Sequence, residues 1–178
     1  RGMTINAQRL RDLFRATEPL AGGKRGSARQ YNPVQVVVDT LNLFRSKCEG
    51  LGIAVHRKAA PDVDDVSGYR EDLSTAVTNL VDNAIYWLEY HGVEQPEITA
   101  TISTQSGSCI VTISDNGIGI PVEFREHIFD VGFTLKPNGT GLGLSIAREA
   151  IGRSGGTIKL LDETDGTSFQ IMLPTGGV

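Results

Sequence analysis

Apolar residues recur along this chain in two rhythms, one near 3.6 residues and one of two, and the switch between them marks out the elements. Residues 4–20 place Leu10, Leu13 and Phe14 at helical spacing, and Pro19 with the Gly-, Lys- and Ser-rich run at 21–27 ends that segment. Pro33 suits a first helical position, and Val34, Val37, Val38, Leu41 and Phe44 with Arg45 carry a second helix to about Gly50. Ile53 and Val55 alternate with Ala54 and His56, which predicts a short strand over 52–57, and 61–68 reads as an acidic loop. The clearest stripe is Leu73, Ala76, Val77, Leu80, Ala84, Trp87 and Leu88. It predicts a helix over 69–90, stopped by Gly92 and Pro96.

The period then becomes two. Ile98, Ala100 and Ile102 alternate with threonines and a serine over 97–104, and Cys109, Val111 and Ile113 do the same over 109–114. The link Gln105-Ser106-Gly107-Ser108 makes the pair a hairpin. Residues 121–130 offer at most a short helix, 142–153 a full one, and 157–161 and 167–173 two strands joined by a turn at Thr164-Asp165-Gly166. These elements predict an α+β fold, a two-layer α/β sandwich with a mixed, mostly antiparallel sheet packed on three helices. The boundary is expected at residue 30, with a helix end and linker before it and one domain over 31–178.

A chain of 178 residues is long enough to bury a real core. Its net charge of −4 argues against nucleic acid or an acidic membrane as a main partner. The most basic stretch, Lys24 and Arg25 to Arg29, is short and reads as a solvated turn. Cys48 and Cys109 form no CxxC pair, which points to a reduced, cytoplasmic setting. No apolar run is long enough to span a bilayer, and no signal-peptide pattern is visible. The start Arg1-Gly2-Met3 reads as that of an excised piece of a longer chain, or as a tag remnant.

Three segments carry candidate chemistry. In Asp115-Asn116-Gly117-Ile118-Gly119-Ile120 the aspartate follows a strand, so its carboxylate sits at the mouth of the sheet. An ionised carboxylate only accepts hydrogen bonds, which selects the amine of adenine over the carbonyl of guanine. Gly117 and Gly119 let backbone come close to a base or phosphate. Alone, this hexapeptide reads equally well as an Asp-Asn-Gly turn. Gly139-Thr140-Gly141-Leu142-Gly143-Leu144 runs into a helix, whose first amides can meet an anion; a hinge before a helix is the other reading. The dinucleotide fingerprint fails at Leu144, and no Walker A ending is present. Asn79 and Asn83 share a helix face, and an amide oxygen suits Mg²⁺; alone, each also reads as an ordinary polar position.

Taken together, in this order, these segments resemble the GHKL, or Bergerat-fold, ATP-binding superfamily of DNA gyrase, heat-shock chaperone ATPases, MutL proteins and sensor histidine kinases. The closest likeness is to the catalytic ATP-binding domain of bacterial histidine kinases, over roughly residues 31–174. Residues 73–84 look like the N box, 115–120 and 139–144 the two glycine boxes, 128–134 the F box, and Gly166-Thr167-Ser168-Phe169 the closing segment. The resemblance implies ATP and Mg²⁺ as cofactors. Asn83 would then hold Mg²⁺, with Asn79 beside it, and Asp115 the adenine amine, with Thr167 supporting it directly or through water. Gly117, Gly119 and Ile120 would border the base. Residues 121–138 would be a mobile lid, with Gly139, Thr140, Gly141, Leu142, Gly143 and Leu144 at the phosphates. Lys136 is a candidate phosphate cation or a solvated lid lysine, and Phe129 and Phe133 are expected to pack the lid.

Two departures refine the branch. Hydrolytic members carry a glutamate four residues before the metal asparagine, where this chain has Asn79, which cannot activate water. That favours phosphoryl transfer to a protein group. Histidine kinases often carry a cation three residues after that asparagine, where this chain has Tyr86, placed among the ATP-site residues. His56, His91 and His127 lack the setting of a phosphoacceptor. The acceptor is expected on a dimerisation hairpin of the same protein, whose last helix would end in residues 4–20, with a response-regulator receiver domain as the onward partner. A gyrase- or MutL-like conformational ATPase and a degenerate nucleotide-binding module are the alternatives.

Overall fold

Asn32 opens a helix by accepting a hydrogen bond from the Gln35 amide at 2.9 Å, and Pro33 takes a first-turn place where no N–H is needed. In the computed structural model, which describes residues 27–162 and 165–176, that helix is α1 (Pro33–Leu43). Around it, in chain order, lie β1 (Arg29–Tyr31), α2 (Arg45–Gly50), β2 (Ala54–Ala59), β3 (Val66–Gly68), α3 (Arg70–Tyr90), β4 (Glu97–Gln105) and β5 (Ser108–Asp115). After a short 3₁₀ turn (Val122–Phe124) come α4 (Gly143–Arg153), β6 (Thr157–Leu160) and β7 (Thr167–Pro174). The helix expected over residues 4–20, the basic pair Lys24 and Arg25 and most of the 21–27 run lie outside the described residues, as does Thr164 of the expected turn.

The five-stranded sheet runs β2-β4-β5-β7-β6, with β2 parallel to β4 and the other pairs antiparallel, as the mixed, mostly antiparallel expectation requires. Its period-two alternation sorts Ile98, Ala100, Ile102, Val111, Ile113, Ile171 and Leu173 onto one buried face. The helices cover that face. Leu73, Val77, Leu80, Ile85 and Leu88 of α3 are almost wholly buried, each stabilising the fold by roughly 1.5–3 kcal/mol relative to exposure.

Two local differences from the sequence reading have physical reasons. The helix expected from Pro33 to Gly50 breaks at Phe44, whose amide bonds back to Leu41 at 3.0 Å. The turn lets Phe44 pack on the core and buries Cys48. Within the expected acidic loop, Val66–Gly68 pairs with Arg29–Tyr31 in a two-stranded sheet that crosses the boundary expected at residue 30. Three-residue strands are too short to show a period.

A polar tie centred on the buried Asp72 joins α3 and α4. Asp72 accepts from Arg153 Nη2 at 2.7 Å and from Ser154 Oγ at 3.1 Å. The end of α4 is thereby fixed to the start of α3, which brings the beginning of α4 against the middle of α3. No helix among the described residues is long and apolar enough to cross a membrane.

Candidate functional site

A cavity of about 680 Å³ opens between α3, the ends of β5 and β7, the 121–138 segment and the start of α4. One end is built on Asp115, the last residue of β5, directly opposite Thr167, the first of β7. The Gly117 amide donates to Asp115 Oδ1 at 2.9 Å. Burial pushes the Asp115 carboxyl up to about 6, against the pull of hydrogen bonds from the Gly117 and Thr167 backbones and from the Thr167 side chain. Ile113, Ile118, Ile120, Trp87 and His91 complete an apolar and aromatic rim. The floor is close-packed: at Gly166, with φ of +81°, any Cβ would overlap the Asp115 carbonyl. This end offers a flat group one half-buried acceptor.

The opposite end offers donors. Leu142 precedes α4 without a side-chain cap, so the first amides of the helix have no capping partner of their own. Asn79 Nδ2 donates to the Thr75 carbonyl at 2.8 Å, and its Oδ1 faces α4, at 2.9 Å from where a Cβ on Gly143 would stand. Asn83, one turn further along α3, is half-buried, lines the cavity and makes no side-chain hydrogen bond among the described residues. Among the described residues no three His, Cys, Asp or Glu side chains converge as metal ligands. A divalent cation beside Asn83 would therefore need oxygens from an anionic ligand, which fits Mg²⁺ arriving with phosphates.

Between the two ends, residues 121–138 fold over the opening. Arg125 donates to the Ile120 carbonyl at 2.9 Å and pairs with Asp162. Arg148 of α4 donates to the Phe129 carbonyl at 3.0 Å and lies 5.4 Å from the Phe129 ring, which meets Phe169 edge-on. The Gly132 amide donates to the Gly141 carbonyl at 2.9 Å. Gly141 has φ of +69°, and a Cβ there would run into the Gly132 backbone. Lys136 reaches in beneath this cover, with Nζ 4.4 Å from the Tyr86 ring centre and 3.9 Å from Asp82 Oδ2. Burial pushes its pKa down.

The cavity thus gathers Asn79, Asn83, Asp115, Gly119, Ile120, Lys136, Gly139, Thr140, Gly141, Leu142, Gly143, Leu144 and Thr167. Two expected members stand elsewhere. Gly117 lies behind Asp115, against its Oδ1 and Leu88, and Tyr86 lies under Lys136 and stacks on Tyr90 rather than lining the cavity. The sequence reading missed Trp87, His91 and Asp82 as lining residues. Trp87 falls in the apolar stripe of α3, yet it lies four residues after Asn83 and so shares its face, a signal in the sequence that points to it. His91 lies four further on and stacks on Trp87 at 5.5 Å.

A protein-family profile described as histidine kinase-, DNA gyrase B-, and HSP90-like ATPase matches residues 68–177. The chain is 35% identical over 140 residues to the C4-dicarboxylate transport sensor protein DctB of Rhizobium meliloti (strain 1021), covering 78% of this chain and 22% of DctB. The chain spans about a quarter of the length of the curated relatives it matches. Among solved structures it is similar to the catalytic domain of histidine kinase ThkA, with a TM-score of 0.75, 28% identity, and coverage of 84% of this chain and 97% of that one. A structure of ThkA in complex with response regulator protein TrrA shares the fold, with a TM-score of 0.72, 24% identity, and coverage of 96% of this chain and 49% of that one.

Proposed function

Because the chain belongs to the histidine kinase-, DNA gyrase B-, and HSP90-like ATPase family, as a catalytic ATP-binding domain of the sensor histidine kinase type, we propose that its cavity takes ATP with Mg²⁺ and presents the γ-phosphate to a histidine on a dimerisation hairpin of the same protein. The observation that carries this reading is the polarity of the cavity: one half-buried carboxylate at one end, an uncapped helix start at the other. Adenine fits the first, because Asp115 accepts from its exocyclic amine while Thr167 holds the carboxylate in place. Trp87, Ile118 and Ile120 give the base an apolar and aromatic bed. Phosphates fit the second, where the backbone of 139–144 and the α4 amides supply donors and Lys136 a charge. Asn83 would hold Mg²⁺ by its amide oxygen, and the ion would neutralise phosphate charge.

This chain's own residues position rather than activate. Asn79 stands where a hydrolytic base would be needed, but its amide nitrogen is engaged by the Thr75 carbonyl and its oxygen lies against α4. Asn79 thus gives water no base at that position, which favours holding the γ-phosphate in line for an incoming nucleophile. The fold shared with ThkA, solved with a response regulator, supports a receiver domain as the onward acceptor. Cys48 and Cys109, free and buried, fit a reducing, cytoplasmic site of action. In the full-length protein, γ-labelled ATP should transfer label to a histidine outside this chain. Steady phosphate release by this chain alone, abolished in Asn83→Ala, with no labelled histidine, would instead support a conformational ATPase.

A further inference from the structure

Tyr86 stands on α3 where the family resemblance leads one to expect a cation, and the structure brings a cation to it from another element. Lys136, on the segment covering the cavity, places its ammonium 4.4 Å from the centre of the Tyr86 ring. Asp82, one turn before Tyr86 on the same helix, lies 3.9 Å from that ammonium and 3.1 Å from Lys47 Nζ of α2, so one carboxylate joins two lysines. The Lys136 side chain is only 20% exposed, and burial disfavours its charge. In such a place the electron-rich face of a ring counts for more than it does in water. The ring itself is braced. It stacks on Tyr90 at 5.8 Å with planes 12° apart and meets the edge of Trp87 at 5.0 Å.

We propose that Tyr86 is a positioning residue for the phosphate-facing cation: its ring seats Lys136 at the phosphate end of the cavity, so that the cover carries the charge that α3 lacks. A cation fixed on α3 would meet phosphate whether the cover is open or shut. A cation on residue 136 meets it only when the cover is down, which ties triphosphate binding to closure. The Asp82 bridge adds Lys47 to the same cluster and leaves it with one net positive charge, from two lysines and one carboxylate.

This inference rests on the reading that the cavity takes ATP, and the test separates the two. Titration calorimetry on the whole chain would use a Mg²⁺-bound, non-hydrolysable ATP analogue and, separately, adenosine. The variants are Tyr86→Phe, Tyr86→Leu, Lys136→Ala and the double variant Tyr86→Leu/Lys136→Ala. Tyr86→Leu should weaken the triphosphate roughly 3- to 10-fold, with adenosine held to within about 2-fold, while Tyr86→Phe keeps the ring and the affinity. On a Lys136→Ala background, Tyr86→Leu should add nothing. Hydrogen exchange without ligand should be several-fold faster over residues 134–141 in Tyr86→Leu than in wild type. The proposal is overturned if Tyr86→Leu costs as much without Lys136 as with it, if Tyr86→Phe is as damaging, or if ligand-free exchange is unchanged. A wild-type chain that binds no triphosphate would overturn the functional reading instead, and the exchange result would still decide the seating of Lys136.

Discussion

Asp115 is a carboxylate in surroundings that oppose its charge, and this gives the site a pH signature. Its folded pKa lies at about 6, above the ordinary aspartate value of about 3.9, so between those values the folded, ligand-free chain holds a proton there that the unfolded chain has lost. That contribution to stability is full below the unfolded value and is lost as pH rises through about 6, up to about 3 kcal/mol. The proposed adenine contact needs the opposite state, because only the ionised carboxylate is purely an acceptor. Adenosine affinity should therefore fall by about tenfold from pH 7 to pH 5, measured by calorimetry, and Asp115→Asn should flatten that dependence. A wild-type profile as flat as the Asn variant's would contradict the assigned role. The place of Asp115 at the mouth of the sheet was legible in the sequence because it directly follows an alternating strand, although the hexapeptide alone reads equally well as a turn. The seat of Lys136 on Tyr86 was not, because the two residues are far apart in the chain and meet only through the fold of the cover.

Elements were legible where one face is buried over several turns or several alternations. α3, β4, β5 and β7 appear within a residue or two of their expected bounds, since burial of one face imposes the period that the sequence displays. The break at Phe44 and the β1–β3 pair escaped notice because each depends on a few long-range contacts rather than on a pattern. The start of α4 is the element on which the proposed phosphate end depends. It is pinned by Gly141, whose left-handed backbone and contact with Gly132 leave no room for a Cβ. Gly141→Ala should introduce strain of about 1–3 kcal/mol, displace the 121–138 cover from α4, and lower triphosphate affinity about tenfold or more while adenosine binding changes little. Calorimetry with both ligands checks this, and equal losses for the two would point to general unfolding instead.

At the scale of the whole molecule, a sheet covered by helices on one face leaves a cleft where β5 and β7 end beside α3 and α4. The Asp72–Arg153–Ser154 tie joins those two helices, so the place of the α4 amides beside α3 is held by the frame rather than by a loop. The two-layer architecture was legible because alternating and helical stretches follow one another in a recognisable order. The closed position of the cover was not, because residues 121–138 carry almost no regular structure. The central claim is that one cavity holds adenine at Asp115 and metal-bound phosphates near Asn83. Its most direct test is calorimetric titration of this chain with a non-hydrolysable ATP analogue, with and without Mg²⁺, in wild type, Asp115→Ala and Asn83→Ala. One site per chain is expected, with a loss of about tenfold or more in Asp115→Ala and loss of the Mg²⁺-dependent gain alone in Asn83→Ala. No binding by the wild type, or binding that Asp115→Ala leaves intact, would contradict it.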